Sequence, residues 1–192
     1  MLFKKEFRSD KPYSGFWGKL YLTQKQRRGL LKWSLYTLLL LTLSVLQDVV
    51  LCRFRLFGAT TELVPMGIFL ICILEGAETG CVFALTASAL YLFSGTAAGP
   101  YSMVFITVLA VAVTIFRQAY LQKGWGAAVL CAAAAMLGYE LLQFFMGLFL
   151  GLTIPSRLVG FLITTFLSSL TIPFLYPIIL SIEAIGGETW KE

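Results

Sequence analysis

The 192-residue chain is 58% hydrophobic and 13% charged, against about 25% charged in an ordinary soluble domain. So few charges cannot cover a water-facing surface, which excludes a soluble globular protein and makes lipid the solvent. The net charge of +5 is uneven, because nine of the 15 basic residues fall in the first 32 positions (Lys4, Lys5, Arg8, Lys11, Lys19, Lys25, Arg27, Arg28 and Lys32).

In chain order, residues 1–32 read as a basic cytoplasmic tail touching anionic lipid head groups. No nucleic-acid fold or aromatic platform accompanies these charges, so nucleic acid is not an expected partner. Trp33–Leu51 is a leucine-rich run without a small-residue cleavage site behind it, and reads as an uncleaved anchor. After the polar stretch CRFRLFG come two short apolar segments, Ala59–Leu74 and Gly80–Phe93, of 16 and 14 residues. As helices they reach roughly 24 and 21 Å, short of a hydrocarbon core of about 30 Å. Neighbouring protein, local thinning or the polar turn between them must cover the difference. Tyr101–Phe116, Gly126–Leu150 and Leu158–Ile182 complete the series.

The expected fold is therefore an all-α integral membrane protein, with about six transmembrane helices in one bundle over residues 33–182. A short cytoplasmic tail, 183–192, follows it. With an inside amino terminus, the inner segments hold the nine tail residues, Arg117, Lys123 and Lys191, which makes 12. The outer loops hold Arg53, Arg55 and Arg157, which makes three. The bias predicts that both termini are cytoplasmic.

Chemistry is sparse. There is no histidine, and Cys52, Cys72, Cys81 and Cys131 are scattered, so no zinc site, cofactor or disulfide framework is expected. Without the usual general base an enzyme is disfavoured. The stretch LEGAETG puts Glu75 and Glu78 in a polar break and reads as a solvated cytoplasmic turn. In it, Gly76 and Gly80 either close the turn or let two helices approach. Ser94 in SGTAAG has no base to activate it, so Gly95 and Gly99 read as the joints of a flexible outer loop. Glu140 lies near the middle of its segment, with Gln143 one turn away and Tyr139 beside it. It is either a polar clasp between helices or a substrate or proton site, and the clasp is favoured. Ala134 with Gly138, and Gly147 with Gly151, are small pairs spaced for close helix contact.

Residues 62–103 resemble the rod shape-determining protein MreD family. The corresponding pieces are Glu62-Leu63-Val64-Pro65, Glu75-Gly76, Gly80, Tyr91-Leu92-Phe93-Ser94-Gly95 and Gly99-Pro100-Tyr101-Ser102-Met103, with Gln47 near the end of the first span. The chain departs from the family at Glu62, which precedes Pro65 rather than following it, and at Tyr91, where an aspartate is usual. The resemblance implies a non-enzymatic component of the bacterial cell-elongation machinery in the cytoplasmic membrane. Such a protein partners MreC and links MreB filaments to peptidoglycan synthases, maintaining rod shape. It also implies a fold like the substrate-binding S components of energy-coupling-factor vitamin transporters, which is the rival function. S components dock through alanines spaced by four on the first helix. Trp33–Leu51 has no alanine or glycine, and Ser34, Thr37, Thr42 and Ser44 make no four-spaced face, so transporter-like docking is disfavoured.

Overall fold

The computed structural model describes residues 24–53, 59–120 and 124–185. The tail before Gln24, Arg55, Lys123 and the chain after Ile185 lie outside the described residues. Every regular element within them is a helix: α1 (Gln24–Val49), α2 (Leu63–Glu75), α3 (Ala77–Phe93), α4 (Tyr101–Tyr120), α5 (Trp125–Phe149), α6 (Leu158–Leu170) and α7 (Ile172–Ile185). Three of these regions are long and apolar enough to cross a membrane: α1 with the turn after it, α4 and α5. α6 with the turn before it qualifies together with α7, as a pair bent by 47°. α2 and α3 are apolar but shorter.

Two boundaries differ from those read in the sequence. α1 starts at Gln24 rather than Trp33, because its basic residues are good helix formers and nothing before Trp33 breaks the ladder. The closing segment Leu158–Ile182 is not one rod but two helices meeting at Thr171. Pro173 has no N–H to continue the ladder, and its ring crowds the carbonyl four residues earlier. The Thr171 hydroxyl and amide both turn back onto the Ser168 carbonyl, at 2.6 and 3.1 Å.

The organising element is α2, which packs against all six other helices. Twelve of its 13 residues are buried, Leu63 through Leu74. Shielded by protein, α2 need not match the bilayer thickness, which resolves the shortfall expected of this segment. Lipid tails are as apolar as leucine, so what holds α2 is close packing rather than escape from solvent. Gly67 permits the closest approach: a Cβ there would stand 2.9 Å from Leu43 Cδ1 of α1. Phe69 meets Tyr139 of α5 edge to face, with centroids 6.3 Å apart.

α3 is one-sided by contrast. Ala84, Ala87 and Tyr91 are buried, while Val82, Leu85, Leu90 and Phe93 are exposed. The same holds for α1 and α4, whose leucines and valines face outward where a membrane would lie. The end of the bundle holding Lys32, Glu75 and Arg117 is called basal below, and the end holding Gln47 and Leu63 distal.

Candidate functional site

At the distal end the first two amides of α2, Leu63 N and Val64 N, donate to Gln47 Oε1 at 2.8 and 3.1 Å. A glutamine from α1 thus caps a helix in another part of the chain, satisfying donors that have no partner within their own helix. Its Nε2 donates to the Tyr91 hydroxyl at 3.5 Å, so Tyr91 of α3 supports this cap. Pro65 falls in the first turn of α2, where its missing N–H costs no hydrogen bond.

Glu62 occupies the N-cap position but makes no side-chain cap hydrogen bond. Its backbone N–H donates to Ser168 Oγ at 2.9 Å, tying α2 to α6, while Oε2 is buried without a partner. Across from it on α5, Glu140 is 3% exposed and Tyr139 fully buried. Glu140 Oε1 likewise has no hydrogen-bond partner, while the Gln143 side chain lies close enough to the Tyr139 hydroxyl to act on it. Glu62 and Glu140 are electrostatic neighbours, and both act on Tyr91 and Tyr139. The clasp expected at Glu140 is therefore incomplete, since this oxygen reaches no partner on another helix. Each unpaired buried group costs about 1–3 kcal/mol, and a carboxylate at the bilayer centre about 2.5–3.5 kcal/mol on insertion scales.

The basal end is fully paired by comparison. Glu75, the last residue of α2, accepts from Lys32 Nζ at 2.6 Å and Tyr36 OH at 2.5 Å. Both ion-pair partners are largely covered, with side-chain exposures of 11% and 6%. Arg117 of α4 donates to the Ile73 carbonyl, one of the last of α2. The solvated turn expected at LEGAETG is thus corrected on one side: Glu75 is a buried clasp, whereas Glu78 and Thr79 remain exposed. Gly76 makes the turn with φ 94°. Gly80 makes the approach, since a Cβ there would lie 3.1 Å from the Cys72 backbone. The two glycines do the two jobs that the sequence left as alternatives.

Between α1 and α3 runs a groove of about 800 Å³ with mainly apolar walls. Its lining includes Thr37, Leu41 and Ser44 of α1 and Val82, Thr86 and Leu90 of α3. Most of these residues are exposed, so the groove opens sideways, between the flanks of the two helices. Thr37 and Ser44 are seven apart on α1, as are Thr79 and Thr86 on α3, a spacing that returns each pair to one helix face. Thr37 and Thr86 turn their hydroxyls onto carbonyls of their own helices, and Thr79 donates across the turn to the carbonyl of Glu75 at the end of α2, leaving small, hydrogen-bond-satisfied steps along the walls.

The remaining sequence candidates are structural. Gly95 closes α3 with φ 77° in open space. Gly99 sits beneath the Tyr101 ring, where a Cβ would be 2.6 Å away, and accepts from Ser102. Gly138 faces Leu109 of α4 at ordinary contact distance. The expected small-residue helix contact at Gly147 and Gly151 is corrected. Gly147 lies under Thr153 and accepts two amides in the turn after α5, while Gly151 ends that turn with φ 70°. Ala134, the partner of Gly138, is exposed.

Sequence reasoning missed Lys32 with Tyr36, although their four-residue spacing on one helix face was a usable signal. It also missed Ser168 and Arg117, whose partners lie far along the chain and leave no local mark. No protein-family model, curated protein or solved structure matches the chain.

Proposed function

We propose that the chain is a non-enzymatic membrane scaffold of the MreD kind, embedded in a bacterial cytoplasmic membrane with both termini inside. In this reading six segments lie in the bilayer, with α6 and α7 forming the last. The scaffold joins an MreC-like protein and peptidoglycan synthases to MreB filaments at the basal face. The observation that carries the proposal is the sideways groove between α1 and α3. On α3 its lining runs from Glu78 to Ser94, roughly 24 Å at 1.5 Å per residue. It thus spans most of a hydrocarbon core with walls suited to another membrane helix. Small hydroxyl steps at seven-residue spacing let such a helix approach closely.

The rival S-component function calls for a pocket with several convergent polar groups that water-soluble vitamins can enter. An apolar recess facing the acyl chains fits a membrane-embedded partner better. The test is co-purification from the native membrane. The scaffold reading predicts recovery of an MreC-like protein with cell-wall synthesis proteins, and rounding of rod-shaped cells on depletion. Recovery of a transporter transmembrane subunit with ATPases overturns it.

A further inference from the structure

The groove between α1 and α3 carries one charge that close packing does not call for. Both helices pack on α2. They touch each other through the Trp33 and Phe83 rings, 5.5 Å apart, toward the basal end, and through Gln47 and Tyr91 toward the distal end. Most polar side chains lining the space between are already satisfied. Thr37, Thr79 and Thr86 donate to main-chain carbonyls, and Ser94 donates to the Tyr91 carbonyl at 2.7 Å. Two lining residues, Ser44 and Glu78, make no hydrogen bond or ion pair among the described residues. Ser44 can turn its hydroxyl onto a carbonyl of its own helix, as Thr37 does. Glu78 has no such retreat, since a carboxylate needs a donor or water. Its place in the first turn of α3 suits a negative charge, but gives that charge no partner.

Glu78 is exposed at the basal end of the groove, so water solvates it while the groove is open. A helix laid along the groove covers that end and takes the water away. The carboxylate is then stranded unless the incoming helix brings a cation. At the distal end Tyr91 and Ser94 are neutral and already hydrogen-bonded. The groove is therefore charged at one end only, and that asymmetry gives its occupant a direction. In the proposed topology the basal end is cytoplasmic, the side on which membrane helices are flanked by lysine and arginine. Their long stems carry the charge to Glu78 without moving the helix axis. Trp33 borders the same end, and its ring offers a second surface to a cation. Lys32 does not compete for Glu78, because it is held 2.6 Å from Glu75.

Resting on the scaffold reading, we propose that the groove takes a single membrane-crossing helix of a partner protein, oriented by a lysine or arginine at its cytoplasmic end that pairs with Glu78. The apolar walls hold the helix, and the charge pair sets its direction and register. Charge pairs at the rim of an interface exclude wrong partners more than they add affinity. A helix with an acidic or purely apolar cytoplasmic end leaves Glu78 repelled or stranded, and is rejected. An anionic lipid head group is repelled in the same way.

The experiment uses the full chain in its native membrane, with a photoreactive residue in place of Thr86 in the groove wall. The yield of protein adduct is scored per copy, and the crosslinked position on the partner is mapped by peptide sequencing. Glu78 and Thr86 are eight positions apart on α3, or roughly 12 Å at 1.5 Å per residue. The expected partner helix therefore carries its lysine or arginine about eight residues, within a turn, to the cytoplasmic side of the crosslinked position. Glu78→Gln lowers the yield about two- to fivefold, the scale of one exposed pair. Glu78→Lys lowers it about tenfold or more, by like-charge contact. Glutamate in place of the partner's basic residue restores most of the yield with Glu78→Lys, which excludes misfolding as the cause of the loss. Undiminished yield in Glu78→Lys, or a mapped helix without a basic residue at that height, overturns the pairing and leaves the scaffold reading standing. A wild type that gives only a lipid adduct, only an adduct of a second copy of this chain, or none overturns both.

Discussion

Lys32→Met tests the basal clasp. The substitution keeps much of the aliphatic stem but removes the ammonium that stands 2.6 Å from the Glu75 carboxylate. Breaking a buried ion pair from one side costs about 3–5 kcal/mol, because the surviving charge is stranded. Here the Tyr36 hydroxyl still donates to Glu75 at 2.5 Å, and such a charge-assisted bond recovers part of the loss. The expected cost is therefore about 2–3 kcal/mol. Glu75→Gln strands Lys32 instead, whose long stem can carry the ammonium toward water, so about 1 kcal/mol is expected. The double variant Lys32→Met/Glu75→Gln strands nothing. Its cost should fall below the sum of the single changes by at least about 1 kcal/mol, within the range measured for residues in contact. Reversible unfolding in mixed micelles, run as a double-mutant cycle, reads the difference. Additivity within about 0.5 kcal/mol would refute the clasp.

Four further outcomes are expected. Gly80→Ala drives a methyl to 3.1 Å from the Cys72 backbone and should cost about 1–3 kcal/mol in the same assay. Gly126→Ala meets nothing within 4 Å and should be neutral or stabilising by up to about 1 kcal/mol. Gln47→Leu strands the Leu63 and Val64 amides and should lower stability by about 1–3 kcal/mol, whereas Asp48→Asn beside it leaves stability unchanged. Cysteine placed at Gly99 should react with an impermeant thiol reagent added outside intact cells, and cysteine placed at Ala77 should not. Labelling at 77 from outside would invert the proposed topology.

The sequence carried the solvent and the helical class because composition alone decides them. The cores of α1, α4 and α5 were equally legible, since apolar runs bounded by glycine, charge and aromatic residues mark helices directly, whereas which of Gly76 and Gly80 makes the turn was left open. The central position of α2 was not. Leucine and isoleucine suit a lipid-facing flank and a protein-enclosed core equally, so ICIL in α2 reads like VLAV in α4. The break at Thr171 did have a local sign in Pro173, which the long apolar run obscured. Glu75 looked solvated because its partners, Lys32 and Tyr36, lie about 40 residues away on another helix. Glu140 was visible as a costly acid, whereas Glu62 stood out only through the family resemblance, and the electrostatic coupling of the two is a tertiary fact.

The most direct test of the scaffold account is site-specific photo-crosslinking in living cells. A photoreactive residue replaces Thr86, which lines the groove, or Leu130, which is 64% exposed on α5. The account predicts one discrete adduct from position 86, containing an MreC-like membrane protein, and no such adduct from position 130. Adducts of that partner from position 130 alone, or capture of a transporter subunit at position 86, would contradict it.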